Sequence, residues 1–283
     1  MAAGGRRDLS VLVTGARGYV GTGIRPVLRE RFRELALADL RPVDDLAENE
    51  RFLEGDVGEA AFVERAMSGV DAVVHLACAH GLSIPFADTV RPNYHGTVNI
   101  FAAAHARGIR NVVFASSHHV TGFYPRGETV GIDRPARPDG FYAVSKAFGE
   151  AVGALYADKF GMTVTSIRIG SALGKVLDER RLHMWISFRD LAELVCLALA
   201  REGPGHEIVY GVGDCPEPFF DNSGAKRLGF VPRDRPEDFL RQADILDAAP
   251  DEGVAGLVVG GGFAAADFEG DPARLARGKG AKA

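Results

Sequence analysis

Short apolar runs alternate with longer stretches of helical periodicity over the first two thirds of the chain. Residues 9–14 (LSVLVT) form a nearly continuous apolar run, the pattern of a parallel strand buried on both faces. A glycine-rich turn follows, then a helical stretch to about Phe32. The pattern predicts a second strand at 35–39, a weaker third at 51–53, a helix at 60–67 and a fourth strand at 71–76 (DAVVHL). A long alanine-rich helix is predicted over 90–107, stopped by Gly108, and a fifth strand over 111–115. Another long helix spans 140–160, stopped by Gly161, before a sixth strand at 163–169 (TVTSIRI). A helix at 188–201 and a late strand at 207–212 complete the series. Such alternation predicts an α/β fold, a doubly wound parallel sheet with helices on both faces joined by right-handed crossovers. Past residue 170 the pattern loosens and prolines accumulate, so a small C-terminal lobe is expected over 171–269. The small, charged, glycine-containing stretch 270–283 is expected to be disordered.

Composition narrows the partners more than the fold. Of 283 residues, 46% are apolar and 25% charged, the balance of an ordinary globular protein. A net charge of −5 with no dense Lys/Arg cluster argues against nucleic acid and against an anionic membrane surface. No stretch approaches the ~20 apolar residues of a membrane span. Residues 1–8 are short and basic with no apolar signal core, so secretion is not expected. Cys78, Cys196 and Cys215 are odd in number and far apart, which argues against a disulfide framework and a zinc site and fits a reducing cytoplasm.

Between the first strand and the first helix the chain reads Thr14-Gly15-Ala16-Arg17-Gly18-Tyr19-Val20-Gly21. Glycines let the chain turn sharply and let backbone N–H groups approach a pyrophosphate at the positive end of the helix. The spacing is Gly-x-x-Gly-x-x-Gly rather than Gly-x-Gly-x-x-Gly. A glycine loop can be a tight turn and nothing more; the strand before it and the helix after it point to a dinucleotide. Asp39 ends the second strand roughly 20 residues on, where a carboxylate accepts hydrogen bonds from the adenosine ribose and repels a 2′-phosphate. NAD is therefore expected over NADP, with Arg17 and Arg41 partly offsetting the repulsion. Asp56 either holds the adenine edge or caps the next helix.

Tyr142 and Lys146 stand four apart in the 140–160 helix, so their side chains share a face. A phenol is a poor base near neutrality because its unperturbed pKa is ~10. A nearby ammonium is expected to favour the phenolate, so that the pair can take a proton from a hydroxyl as hydride leaves the same carbon. Ser117 lies just past the fifth strand, at the carboxyl end that faces the ligand crevice of a parallel sheet, where its hydroxyl can polarise the reacting oxygen.

The loop Thr-Gly-x-x-Gly-x-x-Gly, the strand end Val74-His75-Leu76-Ala77, Asn93 with Gly96-Thr97, Ser116-Ser117 and Tyr142-x-x-x-Lys146 resemble the NAD-dependent epimerase/dehydratase branch of the extended short-chain dehydrogenases. So do residues 188–192 (FRDLA) and 228–232 (LGFVP). The resemblance implies a Rossmann-type NAD-binding domain over 1–170 with the catalytic Tyr/Lys helix, a substrate lobe over 171–269, and Ser117, Tyr142 and Lys146 as the catalytic group. It implies that NAD lies along Gly15, Gly18, Tyr19, Val20 and Gly21. Further on it would meet Asp39 and Leu40, Asp56 and Val57, and Leu76 and Ala77. Asn93, Ser116, Ile169, Tyr142 and Lys146 complete the implied cofactor set. His75 is expected to pack at its strand end.

Within the branch, residues 114–125, 134–140 and 168–171 resemble the uronate dehydrogenases, which oxidise the anomeric carbon of free glucuronate or galacturonate to an aldarolactone. A dehydratase of the branch carries a threonine and an Asp-Glu pair where this chain has Ser117-His118-His119. The resemblance implies that Arg180 grips the substrate carboxylate, with Arg181 as its competitor, since a guanidinium holds a carboxylate through two parallel hydrogen bonds. It implies sugar contacts at Ser117, His118, His119, Ser171 and Phe263. Asparagine is commoner in the family at the position of His118. The rival functions are a nucleotide-sugar 4-epimerase and a catalytically inactive NAD-sensing regulator. A homo-oligomer, a dimer or a multiple of it, is expected from the helices at 90–107 and 140–160, which pair between subunits in this branch.

Overall fold

The computed structural model describes residues 7–240 and 251–276. Seven strands form one parallel sheet in the order β3-β2-β1-β4-β5-β6-β9. They are β1 (Arg7–Thr14), β2 (Phe32–Asp39), β3 (Glu50–Glu54), β4 (Ala72–His75), β5 (Asn111–Ser117), β6 (Thr163–Ile169) and β9 (Gly205–Gly211). The strand order reverses between β1 and β4. In such sheets ligands bind at the carboxyl ends of the strands beside that reversal.

Strand residues alternate between two cores. Val11 and Val13 of β1 pack with helices α1 (Tyr19–Arg31) and α7 (Phe188–Leu199) on one face. Leu12 faces the other side, with α2 (Ala60–Ala66), α4 (Gly96–Ala106) and α5 (Phe141–Phe160). Burial on both faces is why the sequence shows continuous apolar runs instead of alternation. Leu12 has no exposed surface. Leu12→Ala is expected to lower the unfolding free energy by about 3 kcal/mol, measured by urea denaturation.

The helix expected over 90–107 is broken into three. It begins as α3 (Phe86–Thr89), opens into a π turn at Val90–His95 and resumes as α4. Pro92 lies within the π turn, where its missing N–H forbids the ordinary i→i−4 bond. Two strands too short to register as sequence patterns, β7 (Ser171–Ala172) and β8 (Trp185–Ile186), pair in parallel beside the sheet, with α6 (Glu179–Leu182) between them. Residues 272–276, inside the stretch expected to be disordered, form a short helix, and Leu275 packs on the cluster of Val254, Val258 and Ala264. Residues 1–6 and 277–283, which carry part of the calls on the N-terminus and the tail, lie outside the described residues. No helix among the described residues is long and apolar enough to cross a membrane, and no disulfide joins any of the three cysteines.

Candidate active site

A crevice of about 840 Å³ runs along the carboxyl ends of the strands. Its first part is built by the glycine loop. Gly15 has φ +68°, and a Cβ there would stand 2.7 Å from Ala77 N. A Cβ on Gly21 would stand 2.4 Å from Gly15 O, so the close approach of helix to strand requires glycine. Gly18 caps α1 with no side-chain hydrogen bond, and the first turn holds no acidic residue. The leading N–H groups of that helix are therefore open to an anionic group, and this cradle fits the pyrophosphate of a dinucleotide. Asp39 accepts from Arg17 N at 3.0 Å and from Arg41 N at 3.4 Å, which fixes its carboxylate on the rim.

Asp56 is not a helix cap. Glu59 takes that place, while Asp56 accepts from Gly58 N at 2.7 Å and pairs with Arg91 at 2.7 Å. Leu40, Val57, Leu76, Ala77, Ser116 and Ile169 line the crevice as expected. Tyr19 lines it too, and Gly174 N reaches the Tyr19 hydroxyl at 3.4 Å.

Asn93 stands behind the crevice wall: its Oδ1 accepts from Ala79 N at 2.7 Å, and its Nδ2 donates to Ala79 O at 2.9 Å and to Ser145 Oγ at 2.8 Å. It thus ties the loop after β4 to α5 from behind. His75 is fully buried, its Nδ1 2.7 Å from Thr14 Oγ1, and burial pushes its pKa down to about 3. It is a neutral packing residue.

In the middle of the crevice, Ser117, Tyr142 and Lys146 meet. Ser117 lies near enough to the Tyr142 phenol to favour its ionised form. Lys146 Nζ donates to Ala115 O at 2.7 Å and lies 5.6 Å from the Tyr142 ring centroid. The expectation that the ammonium would prevail over the phenol's surroundings is not met by the protein on its own. Burial pushes the Tyr142 pKa up, nearby Cys78 adds to this, and Ser117 opposes it. Beneath this floor, Ser116 Oγ donates to Glu150 Oε1 at 2.6 Å, and Arg168 grips both carboxylate oxygens of Glu150 at 2.8 and 2.9 Å. All three side chains are buried.

The far end of the crevice is lined by His80, His118, His119, Ser171, Arg180, Arg181, Asp251 and Phe263. The Phe263 ring stacks 4.1 Å from that of His119. Arg180 and Arg181 both sit on α6, but differently. Arg181 is bonded to Asp178, the cap of its own helix. Arg180 is buried, donates to Val259 O at 2.9 Å, lies 3.8 Å from Asp251, and is pushed down to about 10 by burial. His80 and Asp251 were not anticipated. His80 follows a strand's carboxyl end, which was the available signal. Asp251 lies far along the chain, where no pattern points to the crevice. Among the described residues no cluster of histidine, cysteine or carboxylate side chains could hold a metal ion.

Residues 11–187 match the NAD dependent epimerase/dehydratase family. The chain is 36% identical to a uronate dehydrogenase of Pseudomonas syringae, over 92% of this chain and 95% of that protein. It is 32% identical to an NAD-dependent glucose-6-phosphate dehydrogenase of Haloferax volcanii, over 86% of this chain and all of that protein. Its fold is similar to the crystal structure of a uronate dehydrogenase variant from Agrobacterium tumefaciens complexed with NAD, with a TM-score of 0.85 and 35% identity over 92% of this chain and 98% of that one. A glycine cradle at the sheet's reversal, a Ser–Tyr–Lys group beside it and this family match agree: the chain belongs to the NAD dependent epimerase/dehydratase family.

Proposed function

We propose that this protein oxidises the anomeric carbon of a free hexuronate, glucuronate or galacturonate, to an aldarolactone, with NAD as the cofactor. The observation that carries the reading is one crevice with Ser117, Tyr142 and Lys146 at its middle and a buried guanidinium, Arg180, at its end. The end-to-end similarity to uronate dehydrogenases supports it.

The cofactor, when bound, supplies the hydride acceptor. The chain's own residues do the rest. Arg180 grips the sugar carboxylate; of its two neighbouring candidates it is the one whose donors are not already committed to a carboxylate on its own helix. Ser117 holds the anomeric oxygen. Tyr142 takes the proton from the anomeric hydroxyl. Lys146, fixed on Ala115 O, supplies a positive charge beneath the phenol. Closing these groups around the sugar places the reacting carbon in line for transfer, which contributes more than the base alone.

A second reading keeps the chemistry and changes the anion to a hexose phosphate. It is favoured by the glucose-6-phosphate dehydrogenase relative and by Arg181 lining the same end. The pairing of Arg181 with Asp178 favours the smaller charge of a carboxylate. A nucleotide-sugar epimerase fits less well: a UDP-glucose 4-epimerase of Corynebacterium glutamicum is 27% identical over 62% of this chain, against 36% over 92% for the uronate dehydrogenase. An inactive NAD-sensing protein would not need the intact Ser–Tyr–Lys group.

The test is NADH formation with glucuronate, galacturonate, glucose 6-phosphate, neutral hexoses and UDP-sugars. Steady NADH with the uronates alone is expected; turnover of a UDP-sugar without net NADH would overturn the proposal. For the cofactor, Asp39→Ala is expected to lower the preference for NAD over NADP by roughly tenfold or more, read as the ratio of kcat/KM values. The absence of any disulfide among the three cysteines supports a cytoplasmic setting, and exposed Val98 on α4 with Leu155 and Phe160 on α5 support pairing of subunits through those helices.

A further inference from the structure

His118 and His119 form one short 3₁₀ turn directly after β5, and their rings stack 4.0 Å apart. Both are anchored through the same ring nitrogen. His118 Nδ1 lies 3.0 Å from Ile169 O; a carbonyl only accepts, so the nitrogen donates and Nε2 carries a lone pair. That Nε2 is buried with no partner among the described residues. His119 Nδ1 lies 2.6 Å from Asp139 Oδ2. Asp139 immediately precedes the glycine that opens α5, and its carboxylate reaches into a slot that only glycines leave open. A Cβ on Gly122 or Gly260 would fall 1.9 or 2.2 Å from Oδ2. Phe263 closes the other face of the His119 ring.

We propose that Asp139 is a positioning residue: it accepts the Nδ1–H of His119 and so turns the Nε2 lone pair of that ring into the sugar end of the crevice, where it accepts a hydrogen bond from a substrate hydroxyl. The hydroxyl contact rests on the sugar-acid reading above. With its Nδ1 held on Asp139, His119 offers an acceptor and no donor, which suits a substrate hydroxyl and rejects ether or fluoro substituents at the same place.

The arrangement has a pH boundary. Burial pushes Asp139 up to about 7 and His119 down to about 3, so the pair gains one proton as the pH falls through about 7. Oδ1 of Asp139 is buried with no partner among the described residues to accept from it, so the proton lies on the Oδ2 side facing Nδ1 or on the ring itself; in both cases Nε2 becomes an N–H, and the acceptor is lost. The charged and titratable groups facing the pair are His118 in the same turn, Tyr142 on α5, His80 after β4, and Arg180 and Arg181 on α6. The two arginines are cationic across this range and hold His119 neutral.

The experiment uses the full chain with NAD bound and its histidines labelled with ¹⁵N, the His119 signals being assigned by their loss in His119→Gln. At pH 8, Nδ1 is expected to be protonated and Nε2 bare, with Nε2 converting to N–H as the pH is lowered through about 7. Asp139→Asn is expected to remove that titration. In a Tyr142→Phe background, where ligand is not consumed, it is expected to raise the Kd for galacturonate about tenfold with the NAD Kd unchanged. His119→Gln should raise it equally, and the double substitution no further; His119→Gln alone carries the Kd test if Asp139→Asn folds poorly. A protonated Nε2 at pH 8, or a parental Kd in both single variants, would overturn the inference. Failure of Tyr142→Phe to bind any uronate, with the ¹⁵N signature intact, would instead overturn the substrate reading and leave Asp139 as the group that fixes the tautomer.

Discussion

Replacing Tyr142 by phenylalanine is expected to cut kcat for uronate oxidation by about 10²–10⁴-fold, with NAD affinity unchanged. The change removes one oxygen from a ring whose packing is otherwise kept, so what is lost is the acceptor for the anomeric proton. The pH profile carries a second signature. Burial raises the phenol's pKa, so at neutrality the base form is scarce and each step upward in pH enlarges it. The kcat/KM of the parent is therefore expected to rise from neutral into alkaline pH, and the residual rate of Tyr142→Phe to lose that limb. Near-parental turnover in the variant, measured by NADH absorbance, would remove Tyr142 from its role.

The second large effect is expected at Arg180. Arg180→Ala should raise KM for glucuronate and galacturonate by roughly 10²-fold or more while changing kcat far less, because the carboxylate it binds is remote from the reacting carbon and its loss strands a charge in a buried site. Arg180→Lys should fall between the two, since an ammonium keeps the charge but not the two parallel bonds. Arg181→Ala is expected to change KM much less, its side chain being held by Asp178. An unchanged KM in Arg180→Ala together with a raised one in Arg181→Ala would exchange the two roles.

Much of this site was legible from the sequence because its residues sit where short-range rules apply. Gly15 to Gly21 lie between a strand and a helix, Tyr142 and Lys146 are one turn apart, and Ser117 ends a strand with an apolar run at 112–115. Each signal spans fewer than ten residues. What escaped depends on longer reach. Asp139 and His119 are partners across a fold, and nothing in the intervening sequence links them. Asn93 stands where the family pattern expects it, but only its bonds to Ala79 and Ser145 show that it braces the loop from outside the crevice. The π turn was hidden because one proline inside an alanine-rich stretch reads as a kink or a stop, and the sequence does not say which hydrogen bonds replace the missing one. The balance at Tyr142 is hidden for a related reason: the spacing to Lys146 is visible in the chain, whereas the depth of the phenol is not.

The Glu150–Arg168 pair has a consequence for how the protein breathes. It joins α5 to β6, and Ser116 fastens β5 to the same carboxylate. Fraying the Tyr/Lys helix away from the sheet would leave a guanidinium and a carboxylate stranded in an apolar interior, a cost of about 3–5 kcal/mol. Amide protons of α5 and β6 should consequently exchange with solvent only when the whole molecule unravels, while those of the 251–265 segment escape through smaller openings.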